Sequence, residues 1–85
     1  MNRLDNLINL IKNSEKINCM VQICCNEDSK FYTVNIDDIY FGENHIAVPI
    51  TEFDYLFLDI EKCNILQENS IAEFVYPNSY IKIFF

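Results

Sequence analysis

CMVQICCNEDSKFYTV, residues 19–34, decides the fold, because along it the apolar residues recur with period 2 rather than 3.6. Cys19, Val21, Ile23 and Cys25 alternate with Met20, Gln22 and Cys24, which describes a strand with one face for a core. The polar run Asn26-Glu27-Asp28-Ser29 is a turn, and Phe31, Tyr32, Val34, Ile36 and Ile39 supply the apolar positions of a returning strand. A hairpin is therefore expected here, and the segments on either side must pack against it.

Upstream, Leu4, Leu7, Ile8 and Ile11 recur at i, i+3, i+4 and i+7 with Asn6, Asn9 and Lys12 between them, so residues 3–13 read as a three-turn amphipathic helix. Asn2 can cap its start and Asn13-Ser14 can end it. Only one stripe is apolar, so this helix must lie on another part of the chain. Downstream, the single glycine, Gly42, sits in a Phe-Gly-Glu-Asn loop that returns the chain into His45–Ile50, where Ile46, Val48 and Ile50 share one face. Pro49 marks that strand as an edge, because proline has no N–H to give to a ladder. Tyr55–Ile60 is apolar on both sides, with Leu56, Leu58 and Ile60 on one and Tyr55 and Phe57 on the other. Residues 61–70, EKCNILQENS, read equally as a short helix or a loop. A last hairpin spans Ile71–Tyr76 and Tyr80–Phe85, turning through Pro77-Asn78-Ser79. The sum is an α+β chain: an N-terminal amphipathic helix packed on five or six mostly antiparallel strands, as a curled open sheet or a small Sm-like barrel. Barrel closure would remove the edges that Pro49 and the terminal strand otherwise leave.

A chain of 85 residues is expected to form one domain, residues 1–85, because two cores of half that size would bury too little surface. Thirteen isoleucines and twelve aromatic residues are enough for a core without staples. The opening MNRLDNLINLIKNSEK has no unbroken apolar segment of the signal-peptide kind, so a cytoplasmic protein with reduced thiols is expected. No run reaches the eighteen or so apolar residues of a membrane-spanning helix. Six Lys and Arg against thirteen Asp and Glu, a net charge of -7, argue against a nucleic-acid ligand and for a basic partner.

The chemistry-bearing residues form no catalytic or metal pattern. Cys19, Cys24, Cys25 and Cys63 lack a C-x2-C knuckle, and strand alternation sends Cys24 and Cys25 to opposite faces. They read as small buried hydrophobes. His45, the only histidine, has Glu43 and Glu52 nearby in sequence but no nucleophile elbow or HExxH to give it a role. A calcium loop starting at Asp37 would have Gly42 in sixth place, but Ile39, Phe41 and Val48 occupy positions that require oxygen ligands. No catalytic residue, metal or cofactor is expected, and the chain reads as a non-enzyme.

What remains is Phe31–Glu61, which holds seven acidic residues and seven Phe or Tyr rings but no Lys or Arg. An ordinary solvated face would account for acids that alternate with core residues. Thirty-one residues without a balancing cation, together with the two-sided strand Tyr55–Ile60, strain that account and set a protein-binding face beside it as the other reading. On such a face acids speed the encounter and rings anchor the complex. The residues assigned to it are Asp37, Asp38, Glu43, Glu52, Asp54 and Asp59, with Tyr40, Phe53 and Tyr55 as anchors.

The N-terminal MNRLDNLINLIKNSEK, a short helix ending in Ile-Lys-Asn before a strand, resembles the N-terminus of small phage-encoded anti-CRISPR proteins, whose size and acidity this chain shares. The resemblance covers about the first twenty residues and carries over no functional residue. It implies an inhibitor that occupies the basic groove of a nucleic-acid enzyme, such as a CRISPR effector nuclease. Two alternatives stand beside it: an immunity protein against a basic toxin, and a self-assembling homo-oligomer that pairs through the edges of Tyr55–Ile60 and the C-terminal Tyr-Ile-Lys-Ile-Phe-Phe.

Overall fold

The computed structural model describes residues 3–85, with the side chains of residues 3 and 4 outside the description. The proposed Asn2 cap thus lies outside the described residues, as does the Leu4 side chain. Helix α1, Arg3–Lys12, buries Leu7 and Ile11, one turn apart on the expected stripe. Its end is closed by Ser14, whose hydroxyl donates to the Ile11 carbonyl at 2.8 Å.

Eight strands follow: β1 Asn18–Cys25, β2 Asp28–Asn35, β3 Tyr40–Phe41, β4 His45–Pro49, β5 Tyr55–Asp59, β6 Asn64–Glu68, β7 Ile71–Val75 and β8 Ser79–Phe84. They form two antiparallel sheets, one in the order β2-β1-β8-β7-β6 and the other β3-β4-β5. The fold is α+β, as expected, but the described residues form eight strands rather than five or six, split into two open sheets with no closed barrel among them. The inner face of the larger sheet presents Cys19, Val21, Val34, Ala72, Phe74, Ile81 and Ile83. Ile46, Val48 and Leu58 of the smaller sheet, and Leu7 and Ile11 of α1, join them in one apolar cluster. The radius of gyration, 12.0 Å, matches the roughly 12 Å expected of a compact chain of this length.

Three expectations need correction. Residues 61–70 are neither helix nor simple loop: a 3-10 turn at Ile60–Lys62 leads into β6, which pairs with β7 along its whole length. Its alternation was faint because β6 is an edge strand and keeps only Ile65 packed on the core. Pro49 does not make β4 an edge, since β4 is the centre of its sheet. The Gly42 N–H donates to the His45 carbonyl (2.8 Å) and the Ile50 N–H to the Asp54 carbonyl (3.1 Å), so odd-numbered residues of β4 turn their backbone toward β3 and even-numbered ones toward β5. Pro49 therefore faces the β3 side, and β3 stops opposite Ala47. Its missing N–H meets no strand. The terminal strand is no edge either, because β8 lies between β1 and β7.

The hairpins β1–β2 and β6–β7 both turn in two residues, and both place an asparagine first, Asn26 with φ 57 and Asn69 with φ 54. Asparagine tolerates this left-handed backbone better than any residue but glycine. Gly42, by contrast, has no positive φ. Its role is spatial, as described next.

Candidate functional site

The outer face of the β3-β4-β5 sheet follows from its register. Tyr40 pairs with Ala47 and Ala47 with Phe57, so one row across all three strands reads ring, methyl, ring. His45 and Pro49 flank Ala47 on the same face of β4, opposite Asp59 and Tyr55 of β5. The small Ala47 leaves room for the His45 ring to lean inward. That ring stacks on Phe57 with centroids 4.7 Å apart and planes 17° from parallel, and meets Tyr40 at 5.5 Å and 34°. Gly42 backs the imidazole, since a Cβ there would lie 2.5 Å from His45 Cε1 and 2.8 Å from each ring nitrogen. The one glycine of the chain is thus where the ring requires that no side chain stand.

Tyr40, Tyr55 and Phe57 are 60%, 67% and 61% exposed among the described residues. Exposed rings in a continuous row are the anchor type of protein interfaces. The acids rim this face at its two ends. At one end a 3-10 turn, Ile36–Asp38, exposes Asp37 and Asp38, with the Asn35 side chain accepting the Asp37 N–H at 2.9 Å. Asp38, Glu52 and Tyr55 line a shared open depression of about 470 Å³ with Pro49 and Thr51. Beside it the β4–β5 turn is built on Thr51, whose Oγ1 accepts the Phe53 and Asp54 N–H groups (3.4 and 3.0 Å) and donates to Asp54 Oδ2 at 3.0 Å. This wiring holds Phe53 at the tip, 86% exposed. At the opposite end Glu43 lies in the β3–β4 loop, lining a second depression with Asp5, Ile8 and Tyr40.

The nine residues assigned from sequence therefore fall in two groups joined by the ring row. Asp37, Asp38, Glu52, Phe53, Asp54 and Tyr55 gather at one end, Glu43 and Asp59 stand at the other, and Tyr40 lies in the row between. Asp59 differs from the rest: its Oδ1 accepts the Glu61 N–H at 3.0 Å, its Oδ2 lies 3.9 Å from Lys62 Nζ, and it is half-buried. It caps a turn first. His45 and Phe57 belong to the face and were missed as site residues. For Phe57 the signal was present, since alternation already put it beside Tyr55. His45 could not be placed, because its stack is a diagonal contact set by the pairing of three strands.

Among the described residues, no group of three or more His, Cys, Asp or Glu side chains is positioned to hold a metal ion. Cys19, Cys24 and Cys63 are buried, as small hydrophobes are expected to be, whereas Cys25 departs from that expectation and is exposed. Burial pushes the Cys19 thiol above its ordinary value. The Tyr76 phenol is pushed up to about 12, first by burial and then by the neighbouring Cys63. No helix among the described residues is long and apolar enough to cross a membrane. Comparison with protein-family models, curated proteins and solved structures finds no match to this chain.

Proposed function

We propose that this chain is a non-enzymatic binding protein whose small sheet docks on a basic, nucleic-acid-handling protein and inhibits it, in the manner of anti-CRISPR and other counter-defence inhibitors acting in a bacterial cytoplasm. The observation that carries this reading is the outer face of β3-β4-β5: Tyr40, Phe57 and Tyr55 stand exposed, with the half-buried His45 ring among them, between two acidic ends, in a segment without one Lys or Arg. Carboxylates at the rim raise the rate of encounter with a basic surface, and the rings supply contact area with little side-chain entropy to lose. A solvated face needs neither a row of rings nor Phe53 held at a turn tip.

The test is capture from nuclease-treated lysate of the natural host at low and high salt, with Asp37→Lys/Asp38→Lys as the control bait. A basic nucleic-acid enzyme captured at low salt, lost at high salt and lost by the charge-reversed bait supports the proposal. Its activity must then fall on titration with the wild-type protein. Capture that ignores both salt and charge reversal overturns the acidic-face idea.

Self-association is the second reading, favoured by the outer face of the larger sheet, where Met20, Phe31, Leu66, Ile71 and Tyr80 are exposed. Burial of such a surface survives high salt, so a salt-resistant oligomer in sedimentation would move the weight to it.

A further inference from the structure

The two sheets leave four edges: β2 and β6 on the larger, β3 and β5 on the smaller. Exposed edges invite pairing with other chains, and proteins blunt them with lysine, proline, charge or shortness. Two of the four follow that rule: β3 has only two residues, and β2 carries Lys30 and Asp28. β6, Asn-Ile-Leu-Gln-Glu, equals β5 in length and also has one acid, but three of its five side chains are polar. β5, Tyr-Leu-Phe-Leu-Asp, has no proline or lysine and extends over five residues.

The direction of its free groups follows from the ladder. Even-numbered residues of β4 turn their backbone toward β5, and Ile46 pairs with Leu58 and Val48 with Leu56. Leu56 and Leu58 thus use their N–H and C=O groups on β4. Tyr55, Phe57 and Asp59 point theirs away from the sheet, where only the Asp59 carbonyl has a partner among the described residues, the Tyr76 hydroxyl at 3.5 Å. A strand laid along this edge would find both groups of Tyr55 and Phe57 and the N–H of Asp59.

Charge selects the occupant. Glu52 and Asp54 precede β5, and Asp59 and Glu61 close it, with Lys62 the one Lys or Arg in residues 52–62. A second copy pairing antiparallel would set the acidic start of one β5 against the acidic end of the other, four carboxylates to one ammonium at each end of the joint. Like charges so placed oppose self-pairing, whereas a basic strand neutralises both ends. Strands lie about 4.8 Å apart, so alternate side chains of an added strand fall beside the Tyr55 and Phe57 rings, and those between fall beside the half-buried Leu56. Lysine or arginine suits the first positions, by cation–π contact, and an apolar residue suits the second.

We propose that the β5 edge is a strand-addition site for an extended segment of the partner with a basic–apolar–basic pattern. This rests on the reading of a basic partner and specifies how that partner is held.

The probe is an eight-residue peptide alternating Arg and Val, titrated against the full chain by calorimetry at low salt, beside two versions of it, one N-methylated at the arginines and one at the valines. Tyr55→Ala removes the ring and keeps the N–H, and Tyr55→Pro removes both at an outward-facing position that an edge strand tolerates. N-methylation in the register that faces β5 is expected to weaken binding at least tenfold, and Tyr55→Pro at least fivefold beyond Tyr55→Ala. The amides of Tyr55, Phe57 and Asp59 should gain hydrogen-exchange protection when peptide is bound. Equal binding of plain and both methylated peptides overturns strand addition while leaving the basic-partner reading intact. Failure of the plain peptide to bind overturns strand addition too, and salt-sensitive capture of a basic enzyme would still uphold the partner. Protection of these amides without peptide, in a sedimenting dimer, overturns the proposal in favour of a second copy.

Discussion

Replacing Gly42 with alanine tests the geometry of the ring row through a change of sign. Gly42 has no positive φ, so its backbone suits alanine, and the substitution alone should stabilise by about 0.4–1 kcal/mol through the unfolded chain. The new methyl, however, would lie 2.5 Å from His45 Cε1, while carbon atoms pack at roughly 3.5–4.0 Å, so the ring must withdraw by about 1 Å. Withdrawal breaks the stack on Phe57 and the contact with Tyr40, each worth about 0.5–1.5 kcal/mol. The ring is only half-buried and can swing outward without moving the backbone, which limits the loss to those two contacts. Gly42→Ala is therefore expected to destabilise by about 1 kcal/mol in the native background. In a His45→Ala background, with no ring to strike, it should stabilise by about 0.4–1 kcal/mol. The coupling between the two positions is then about 1–2 kcal/mol, which urea unfolding followed by tyrosine fluorescence resolves as a midpoint shift of about 1 M. Stabilisation of the same size in both backgrounds would refute the stack.

Phe74 is the largest fully buried side chain, and Phe74→Ala should cost about 3–5 kcal/mol, enough to leave little folded chain in a domain this small, as far-UV circular dichroism and thermal melts would show. At the hairpin turns, Asn26→Ala and Asn69→Ala should each cost about 1–2 kcal/mol, and the glycine variants should be near neutral; equal effects would mean the left-handed backbone is not what asparagine supports. Stability should fall as pH rises between about 10 and 12, because the Tyr76 phenol ionises near its ordinary value when unfolded but only near 12 when folded, so the unfolded chain releases its proton first. Tyr76→Phe should reduce that decline in urea midpoints measured from pH 9 upward, leaving the part contributed by the Cys19 thiol and the Tyr80 phenol, both held above their ordinary values.

Elements that bury a face wrote that face into the sequence. The stripe of Leu7, Ile8 and Ile11, the alternation of Cys19, Val21 and Ile23, and the pairing of Leu56 and Leu58 were all legible, because each side chain had to meet the core. β6 was obscured for the converse reason. Strand order could not be read locally, since nothing in Ser79–Phe84 states that it lies between β1 and β7 rather than at an edge. Pro49 misled because its rule concerns the neighbour on one side, and the length of β3 was unknown. The acidic ends and Tyr55 were legible from alternation and charge. The ring row was not, because Tyr40, His45 and Phe57 come together only through the register of three strands.

The central place of β8 also governs the order in which this molecule can come into being. The pairs β1–β2, β3–β4–β5 and β6–β7–β8 join neighbours in the chain and close with short loops, so each can form early. The ladder between Val21 and Ile83 spans most of the molecule's length and is the only one that joins the first hairpin to the last. Until Ser79–Phe84 pairs with β1, Val21, Phe74 and their neighbours have no common core, and the locally paired pieces remain separate with open edges. Birth of the fold is thus a zipping event at its middle, slow by topology. A fragment that stops at Asn78 should be met by proteases and chaperones as an unfolded chain rather than as a smaller version of the protein.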